Sequence, residues 1–140
     1  MTPQKPDTTE IAIVGAGPAG VAAAVIAARA GAAVTLLDEN TNAGGQYYKQ
    51  PTLTESGHKY PNSLASNIQQ GQELLAGLNH PGIDLQCDTL VWNVSPEELV
   101  LYLCGPAGAR ALQAKRIIFS AGAYERVMPF PGWTVPGVIM

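Results

Sequence analysis

The chain has 140 residues, and its 8 basic and 11 acidic side chains give a net charge of −3 at pH 7. Hydrophobic residues make up 46% of the sequence, which argues against a disordered acidic chain and predicts one domain with a buried core. The sequence has no cluster of Lys and Arg with the concentrated positive charge that contacts to phosphate backbones need. Nucleic acid is therefore not expected as a partner.

The stretch from residue 11 to residue 37 carries a single charge, Arg29, and is long enough to resemble a membrane span of about 20 residues. Four glycines and a proline interrupt it, so strand, turn, helix and strand describe it better. The first nine residues are polar with one lysine, unlike a signal peptide. We expect a flexible leader at residues 1–9, no transmembrane segment and a cytoplasmic protein.

The first 37 residues contain one β-α-β pattern. Residues 11–14 are apolar β-formers that stop at Gly15, as in a short buried parallel strand. Residues 18–30 are rich in Ala, Val and Ile, begin with a proline and stop before Gly31, which predicts a helix. A second strand is predicted at residues 33–37, parallel to the first through a right-handed connection.

The rest of the chain alternates loop, helix and strands. Residues 40–60 lack a hydrophobic period and are predicted to form a long loop, whereas residues 62–78 suit an amphipathic helix. Strands are predicted at residues 84–94, 99–103 and 111–121, the last two joined by a turn. The predicted fold class is α/β, a Rossmann-like parallel sheet with a small β-meander.

The sequence Gly15-Ala16-Gly17-Pro18-Ala19-Gly20 is a G-x-G-x-x-G motif between the predicted strand and helix, the context that dinucleotide binding requires. The first glycine allows the tight turn, and the second leaves room for a pyrophosphate beside the backbone. The third lets the helix pack against the strand. We expect the phosphates to face the helix N-terminus, with Pro18 and Ala19 in its first turn.

An acidic residue at the end of the second strand is expected to bind the ribose. Asp38 follows Gly20 by 18 residues, near the separation of about 20 that this fingerprint shows. A carboxylate there would accept hydrogen bonds from both ribose hydroxyls and repel a 2′-phosphate, which favours FAD or NAD over NADP. Glu39 is the alternative if the strand ends one residue later, although alternation along a strand points it the other way.

Cysteine and histidine are too sparse to supply a redox or metal centre. Cys87 and Cys104 lack the C-x-x-C spacing of a redox pair and cannot make a four-ligand zinc site alone. With His58 and His80 as the sole histidines, no metal site is expected. We expect two buried thiols, and a redox centre that is a bound cofactor.

Two later motifs carry a resemblance that favours FAD over NAD. Ala43-Gly44-Gly45-Gln46 follows the acid within a few residues, and Ser120-Ala121-Gly122-Ala123 follows the apolar run at residues 117–119. Together with the G-x-G-x-x-G motif and the acid, they resemble flavoproteins built on two dinucleotide-binding domains, in which all four signals belong to the FAD site. A disulfide reductase is disfavoured, because no cysteine stands near the Gly-Gly pair in the sequence.

A narrower resemblance is carried by Gly44-Gly45-Gln46-Tyr47-Tyr48 and by residues 123–138. These segments look like the large FAD subunit of the opine oxidase, hydroxyproline dehydrogenase and hydrogen cyanide synthase group. The resemblance implies hydride transfer from the carbon beside an amine nitrogen to the flavin, on an amine, imino-acid or opine substrate, in a complex with partner subunits. It names no catalytic residue.

The same resemblance implies a set of FAD contacts. They are Gly15, Gly17, Pro18, Ala19 and Gly20 at the pyrophosphate, Asp38 or Glu39 at the ribose, Gly44, Gly45 and Gln46 at the inner pyrophosphate or flavin edge, Ala121 and Gly122 in a turn near the cofactor, and Leu90 near the adenine.

Such flavoproteins run to several hundred residues and insert a second dinucleotide-binding domain before completing the first. The resemblance therefore predicts an incomplete FAD-binding domain at residues 10–132 and the start of a connection at residues 133–140. Two other functions stay open. One is an NAD(P)H-dependent reductase of a ferredoxin-like partner, and the other is a nucleotide-binding module without redox chemistry.

Overall fold

The computed structural model describes residues 6–48, 62–123, 129–132 and 134–136, except the side chains of residues 62–68. Two helices, one 3-10 turn and six strands lie in this part of the chain. In order they are β1 (Asp7–Val14), α1 (Pro18–Arg29), β2 (Val34–Leu37), α2 (Asn62–Ala76), the 3-10 turn (Gly77–Asn79), β3 (Ile83–Gln86), β4 (Leu90–Ser95), β5 (Val100–Gly105) and β6 (Gly108–Phe119).

The six strands form one sheet with the order β3-β2-β1-β6-β5-β4. Pairing is parallel from β3 through β2 and β1 to β6, and antiparallel within the meander made of β4, β5 and β6. Strand β6 belongs to both parts, because residues 108–113 pair with β5 and residues 112–119 pair with β1. The predicted α/β class, with a parallel sheet and a small meander, is confirmed.

Strand β1 is buried on both faces, as expected of a central parallel strand. Ile13 points toward the side covered by the helices, where it packs in one cluster with Val21 and Ala24 of α1. Its neighbour Ala12 points to the opposite side and packs with Leu101 and other residues of the meander. The helices and the meander therefore cover opposite faces at β1, and the carboxyl end of this strand lies between them.

Strand β1 begins earlier than the sequence predicted. Asp7 lies opposite Leu112, and Thr9 lies opposite Ala114, so residues 7–9 are paired and do not belong to a flexible leader. Their polar side chains give no hydrophobic signal, and the pairing is supplied by β6 from more than 100 residues away. Residues 1–5 of the predicted leader lie outside the described residues.

The single strand predicted at residues 84–94 is two strands that lie at opposite edges of the sheet. Strand β3 pairs with β2 and β4 pairs with β5, and the chain between them passes through Asp88 with a φ of +51°. The backbone N–H of Asp88 donates to the Asn40 carbonyl oxygen at 3.0 Å. No glycine or proline marks this break in the sequence, so continuous β-propensity hid it.

The helix and loop predictions differ less from the structure. Helix α2 ends at Ala76, and residues 77 and 78 of its predicted span belong to the 3-10 turn. A Cβ at Gly77 would lie 2.7 Å from Cγ2 of Val25, so this turn packs closely on α1. Residues 49–60 of the predicted loop lie outside the described residues, as do residues 133 and 137–140 of the predicted connection.

Candidate dinucleotide-binding site

A groove of about 830 Å³ lies at the carboxyl ends of the parallel strands β1, β2 and β6. In open α/β sheets, ligands bind where neighbouring connections leave the sheet in opposite directions. Strand β1 has β2 on one side and β6 on the other, which makes its end such a point. Predicted site residues that line the groove are Gly15, Gly17, Pro18, Ala19, Asp38, Glu39, Gly45, Gln46, Leu90, Ala121 and Gly122.

Gly15 and Gly20 are required by the protein's own packing. A Cβ at Gly15 would overlap the carbonyl oxygen of Ser120, just after β6, and a Cβ at Gly20 would overlap the carbonyl oxygen of Gly15. Gly20 therefore packs behind the groove and does not line it. These two glycines bring the start of α1 against the ends of β1 and β6.

Gly17 is required neither by packing nor by backbone conformation. Its φ is −71°, which any residue adopts, and a Cβ here would meet no atom closer than the Gly45 Cα at 3.9 Å. Within the described chain, no side chain caps the N-terminus of α1 and its first turn holds no acidic residue. The space in front of Gly17 and the N–H groups beside it fit a pyrophosphate.

The Gly-Gly pair after β2 packs directly on the G-x-G-x-x-G segment. The backbone N–H of Gly44 donates to the Ala16 carbonyl oxygen at 2.7 Å. Gly45 has a φ of +59°, and a Cβ on it would lie 2.9 Å from the Gly17 Cα. This contact requires a glycine at position 45, whereas Gly44 has a φ of +123° and packs against the Tyr48 carbonyl oxygen. Gly45 and Gln46 line the groove, and Gly44 lies behind it.

Asp38 is 7% exposed and accepts three hydrogen bonds from the protein. Its Oδ2 accepts from the backbone N–H of Ala16 at 2.6 Å, and its Oδ1 accepts from the backbone N–H and the Nδ2 of Asn40, both at 2.8 Å. Glu39 is exposed and also lines the groove, so the structure places both predicted acids there. The sequence did not predict the hydrogen bond between Asp38, at the end of β2, and Ala16 of the glycine segment.

Ser120 is a structural contact at the groove that sequence reasoning did not single out. Its backbone N–H donates to the Val14 carbonyl oxygen at 2.8 Å, and its hydroxyl lies 3.0 Å from that oxygen and 2.8 Å from the Gly15 carbonyl oxygen. The hydroxyl thereby joins the ends of β6 and β1. The available signal was a small polar residue directly after an apolar strand.

The two cysteines differ from the expectation that both are buried. Cys104 is exposed, because it alternates with Leu103, which points into the core from β5. Cys87 is half-buried, and a hydrogen bond from the Ala43 backbone to its thiol places it near the Gly-Gly pair in space. Burial, followed by the negative charges of Asp38 and Asp88, raises the pKa of the Cys87 thiol.

The described residues contain neither a metal-binding cluster nor a helix of membrane-spanning length. No group of three or more His, Cys, Asp and Glu side chains there could hold a metal ion. No helix in the same part of the chain is long and apolar enough to cross a membrane.

Residues 9–138 match the profile of the family described as pyridine nucleotide-disulphide oxidoreductase. The chain is 34% identical over 140 residues to a subunit of opine oxidase from Agrobacterium tumefaciens (strain Ach5), covering 95% of this chain and 27% of that protein. It is 32% identical over 134 residues to the HcnB subunit of hydrogen cyanide synthase from Pseudomonas protegens, covering 90% of this chain and 27% of that protein.

Among solved structures, L-proline dehydrogenase from P. horikoshii has the same fold, with a TM-score of 0.68 and 22% identity over 89% of this chain and 25% of that chain. The chain thus spans about a quarter of the length of each of these three proteins. The profile match confirms the predicted class of FAD-binding oxidoreductase domain, and the chain belongs to the pyridine nucleotide-disulphide oxidoreductase family.

Proposed function

We propose that this chain is the FAD-binding portion of an oxidoreductase that oxidises the C–N bond of an amine, imino acid or opine by hydride transfer to the flavin. The open space in front of Gly17, at the uncapped N-terminus of α1, is the observation that carries FAD binding. The 34% identity to the opine oxidase protein supports the substrate class. Both relatives are named as subunits, which supports a complex with partner chains.

The residues present can hold each part of the cofactor. The N–H groups at the start of α1 face the space for the pyrophosphate, and the acids at the end of β2 lie where the ribose would bind. Gln46 and the segment with Ala121 and Gly122 would border the flavin, and Leu90 would lie near the adenine. FAD supplies the hydride acceptor when bound, and the protein binds and orients it.

The substitution Gly17→Ala tests FAD binding. The new methyl group meets no protein atom closer than 3.9 Å, so the chain should fold with an unfolding free energy within about 1 kcal/mol of the original. The same methyl group occupies the space proposed for the pyrophosphate, so FAD affinity should fall at least about tenfold. Calorimetric titration with FAD and urea unfolding measure the two effects.

Gly31→Ala is the matched control, because it makes the same change beyond the other end of α1. Its φ is +92°, so the substitution should lower stability by about 1 kcal/mol and leave FAD affinity unchanged. An unsubstituted chain that stays colourless and binds no FAD would contradict the proposal. Equal FAD affinity in Gly17→Ala and the unsubstituted chain would contradict the pyrophosphate position.

The substrate class is tested separately on the FAD-loaded chain without oxygen. Loss of the visible absorbance of oxidised flavin on addition of an opine or imino acid supports amine oxidation. Loss of that absorbance with NADH, and not with these substrates, favours the alternative reductase function.

A further inference from the structure

Tyr47 exposes a large aromatic ring at the groove, directly after the Gly-Gly-Gln segment. We propose that this ring stacks on the isoalloxazine ring of the bound flavin and so gives the site a preference for FAD over ADP, which lacks the flavin. The proposal rests on the proposed FAD-binding function and deepens it. The exposure of the ring, the anchoring of its loop and the course of the chain support it.

The Tyr47 ring has a face that its aromatic neighbour leaves open. Tyr47 is 65% exposed, and of the aromatic side chains in the described part of the chain it alone lines the groove. The rings of Tyr47 and Tyr48 meet nearly at right angles, with their centroids 4.9 Å apart and their planes at 79°. Such a contact covers an edge or one face of the Tyr47 ring. At least one face therefore stays available for offset stacking with a flat ring system.

The loop that carries the Tyr47 ring is anchored on both sides. Tyr48 packs on α2, because a Cβ at Gly71 would lie 2.7 Å from Cδ1 of Tyr48. On the other side, Gly45 packs on the backbone of Gly17. Tyr47 thus projects from a segment that the protein already holds in place, which lowers the entropic cost of ordering its ring around a ligand.

The course of the chain assigns Tyr47 to the flavin end of the dinucleotide. Gly45 lies beside the proposed pyrophosphate position, and the next residue, Gln46, borders the proposed flavin site. Tyr48 packs on α2, on the side of the sheet that the helices cover. Leu90, where the adenine is proposed, belongs to the meander on the opposite side. An adenine near Leu90 is therefore across the groove from the Tyr47 ring.

Stacking on the flavin has two measurable consequences. Stacking of an aromatic side chain on a flat heterocycle contributes to affinity, so the ring favours FAD and is indifferent to ADP. A tyrosine in contact with an isoalloxazine ring also quenches its fluorescence by reversible electron transfer from the phenol to the excited flavin, after which the electron returns and nothing is consumed.

The test measures the affinities of FAD and ADP by calorimetry on the full 140-residue chain, on Tyr47→Leu and on Tyr47→Phe. The leucine variant keeps an apolar side chain and loses the ring, so FAD affinity should fall about tenfold while ADP affinity stays unchanged. The phenylalanine variant keeps the ring, and both affinities should stay within about twofold of the original. The fluorescence of the bound flavin should rise in both variants, since neither leucine nor phenylalanine donates an electron readily.

Trp92→Leu is the matched control. Trp92 is 58% exposed, its ring lies 5.6 Å from that of Tyr102 between centroids, and it is outside the groove. This substitution should change neither the two affinities nor the flavin fluorescence. Urea unfolding should give the same midpoint for Tyr47→Leu as for the unsubstituted chain, because the ring is exposed. If the leucine variant does not fold, the flavin fluorescence of Tyr47→Phe decides.

An equal loss of FAD and ADP affinity in Tyr47→Leu would place the ring at the adenosine and overturn the proposal. Unchanged FAD affinity in that variant, a loss of about tenfold in Tyr47→Phe, or unchanged flavin fluorescence in both variants would overturn it as well. Failure of the unsubstituted chain to bind FAD and ADP at all would overturn the proposed function itself. The two kinds of failure are distinguishable, since the first requires an unsubstituted chain that binds FAD.

Discussion

At the scale of single residues, the G-x-G-x-x-G motif combines two kinds of requirement. Gly15 and Gly20 have no side chain because backbone carbonyl oxygens stand where a Cβ would lie. Gly17 faces open space, so the protein's own packing does not explain its identity. The pyrophosphate proposed for this space would explain it, and the Gly17→Ala variant tests that explanation.

Cys87 gives a prediction at the same scale. Its raised pKa lowers the fraction of reactive thiolate below that of an ordinary cysteine, so alkylation by iodoacetamide should be slow. In a Cys104→Ser chain, Cys87 should react at least about tenfold more slowly in the folded state than in urea. Asp88→Asn in that background should speed the folded-state reaction, because it removes a negative charge that raises the pKa.

Intact-mass spectrometry over time measures these rates. Equal rates in the folded and urea-unfolded chains would contradict the protection of Cys87.

At the scale of elements, β6 unites the two halves of the sheet. Its early residues pair with β5 and its later residues pair with β1, so the meander cannot separate from the parallel strands without breaking β6. Its last residue, Phe119, leads into Ser120, whose hydroxyl contacts the carbonyl oxygens of Val14 and Gly15. The strand that organises the sheet therefore also places one wall of the groove.

Glu10 on β1 contacts Ala33, just before β2, and Lys115 on β6. These two contacts predict how the stability of the chain depends on pH. The Glu10 carboxylate accepts from the Ala33 N–H at 3.0 Å and from Lys115 Nζ of β6 at 2.9 Å. These contacts, with Ala33 the larger cause, lower the pKa of Glu10 below its ordinary value of 4.5. Because the folded-state pKa is the lower one, its stabilisation is present above pH 4.5 and is lost as the pH falls through the folded-state pKa.

Glu10→Gln should therefore be less stable than the original chain at pH 7, and the difference should close as the pH is lowered below 4.5. The effect is small and weakens with added salt, since the pair is solvent-exposed. Urea unfolding from pH 3 to pH 7 measures it, with Glu97→Gln as an exposed control. A stability difference that grows toward low pH would show the assignment to be wrong.

At the scale of the whole molecule, large apolar side chains remain exposed although the core is well formed. Ile26 on α1 is 70% exposed, and Trp92 on β4 and Phe119 at the end of β6 are 58% and 60% exposed. The fully buried side chains lie around β1, β2 and the meander. A ligand that binds the folded state alone adds its binding free energy to the stability that this core supplies.

FAD should raise the apparent stability of the whole chain, because a ligand that binds only the folded state increases the free energy of unfolding. At a free concentration of 100 times the Kd, a ligand that binds only the folded state adds about 2.7 kcal/mol to the unfolding free energy. Thermal unfolding should therefore shift upward with FAD in the original chain and in Gly31→Ala, and much less in Gly17→Ala. A shift of the same size in Gly17→Ala would argue for binding outside the groove.

Features that depend on neighbouring residues could be predicted from the amino-acid order. The strand, glycine segment, helix and second strand within residues 11–37 belong to this class, because hydrophobic period, proline position and glycine spacing are local properties. The glycine spacing indicated a dinucleotide-binding domain, and the resemblance carried by the later Gly-Gly pair and Gly122 implied that the dinucleotide is FAD. Half of the residues that line the groove were predicted in this way.

Long-range contacts determine which of those residues form contacts within the protein and which remain open to a ligand. The break at Asp88, the pairing of residues 7–9 and the contacts of Ser120 depend on partners distant in sequence, so no local pattern records them. Asp38 and Glu39 are adjacent acids of similar chemistry, and the approach of the Ala16 N–H, 22 residues away along the chain, distinguishes them. A local pattern can place a carboxylate at a strand end, but folding determines which donors reach it.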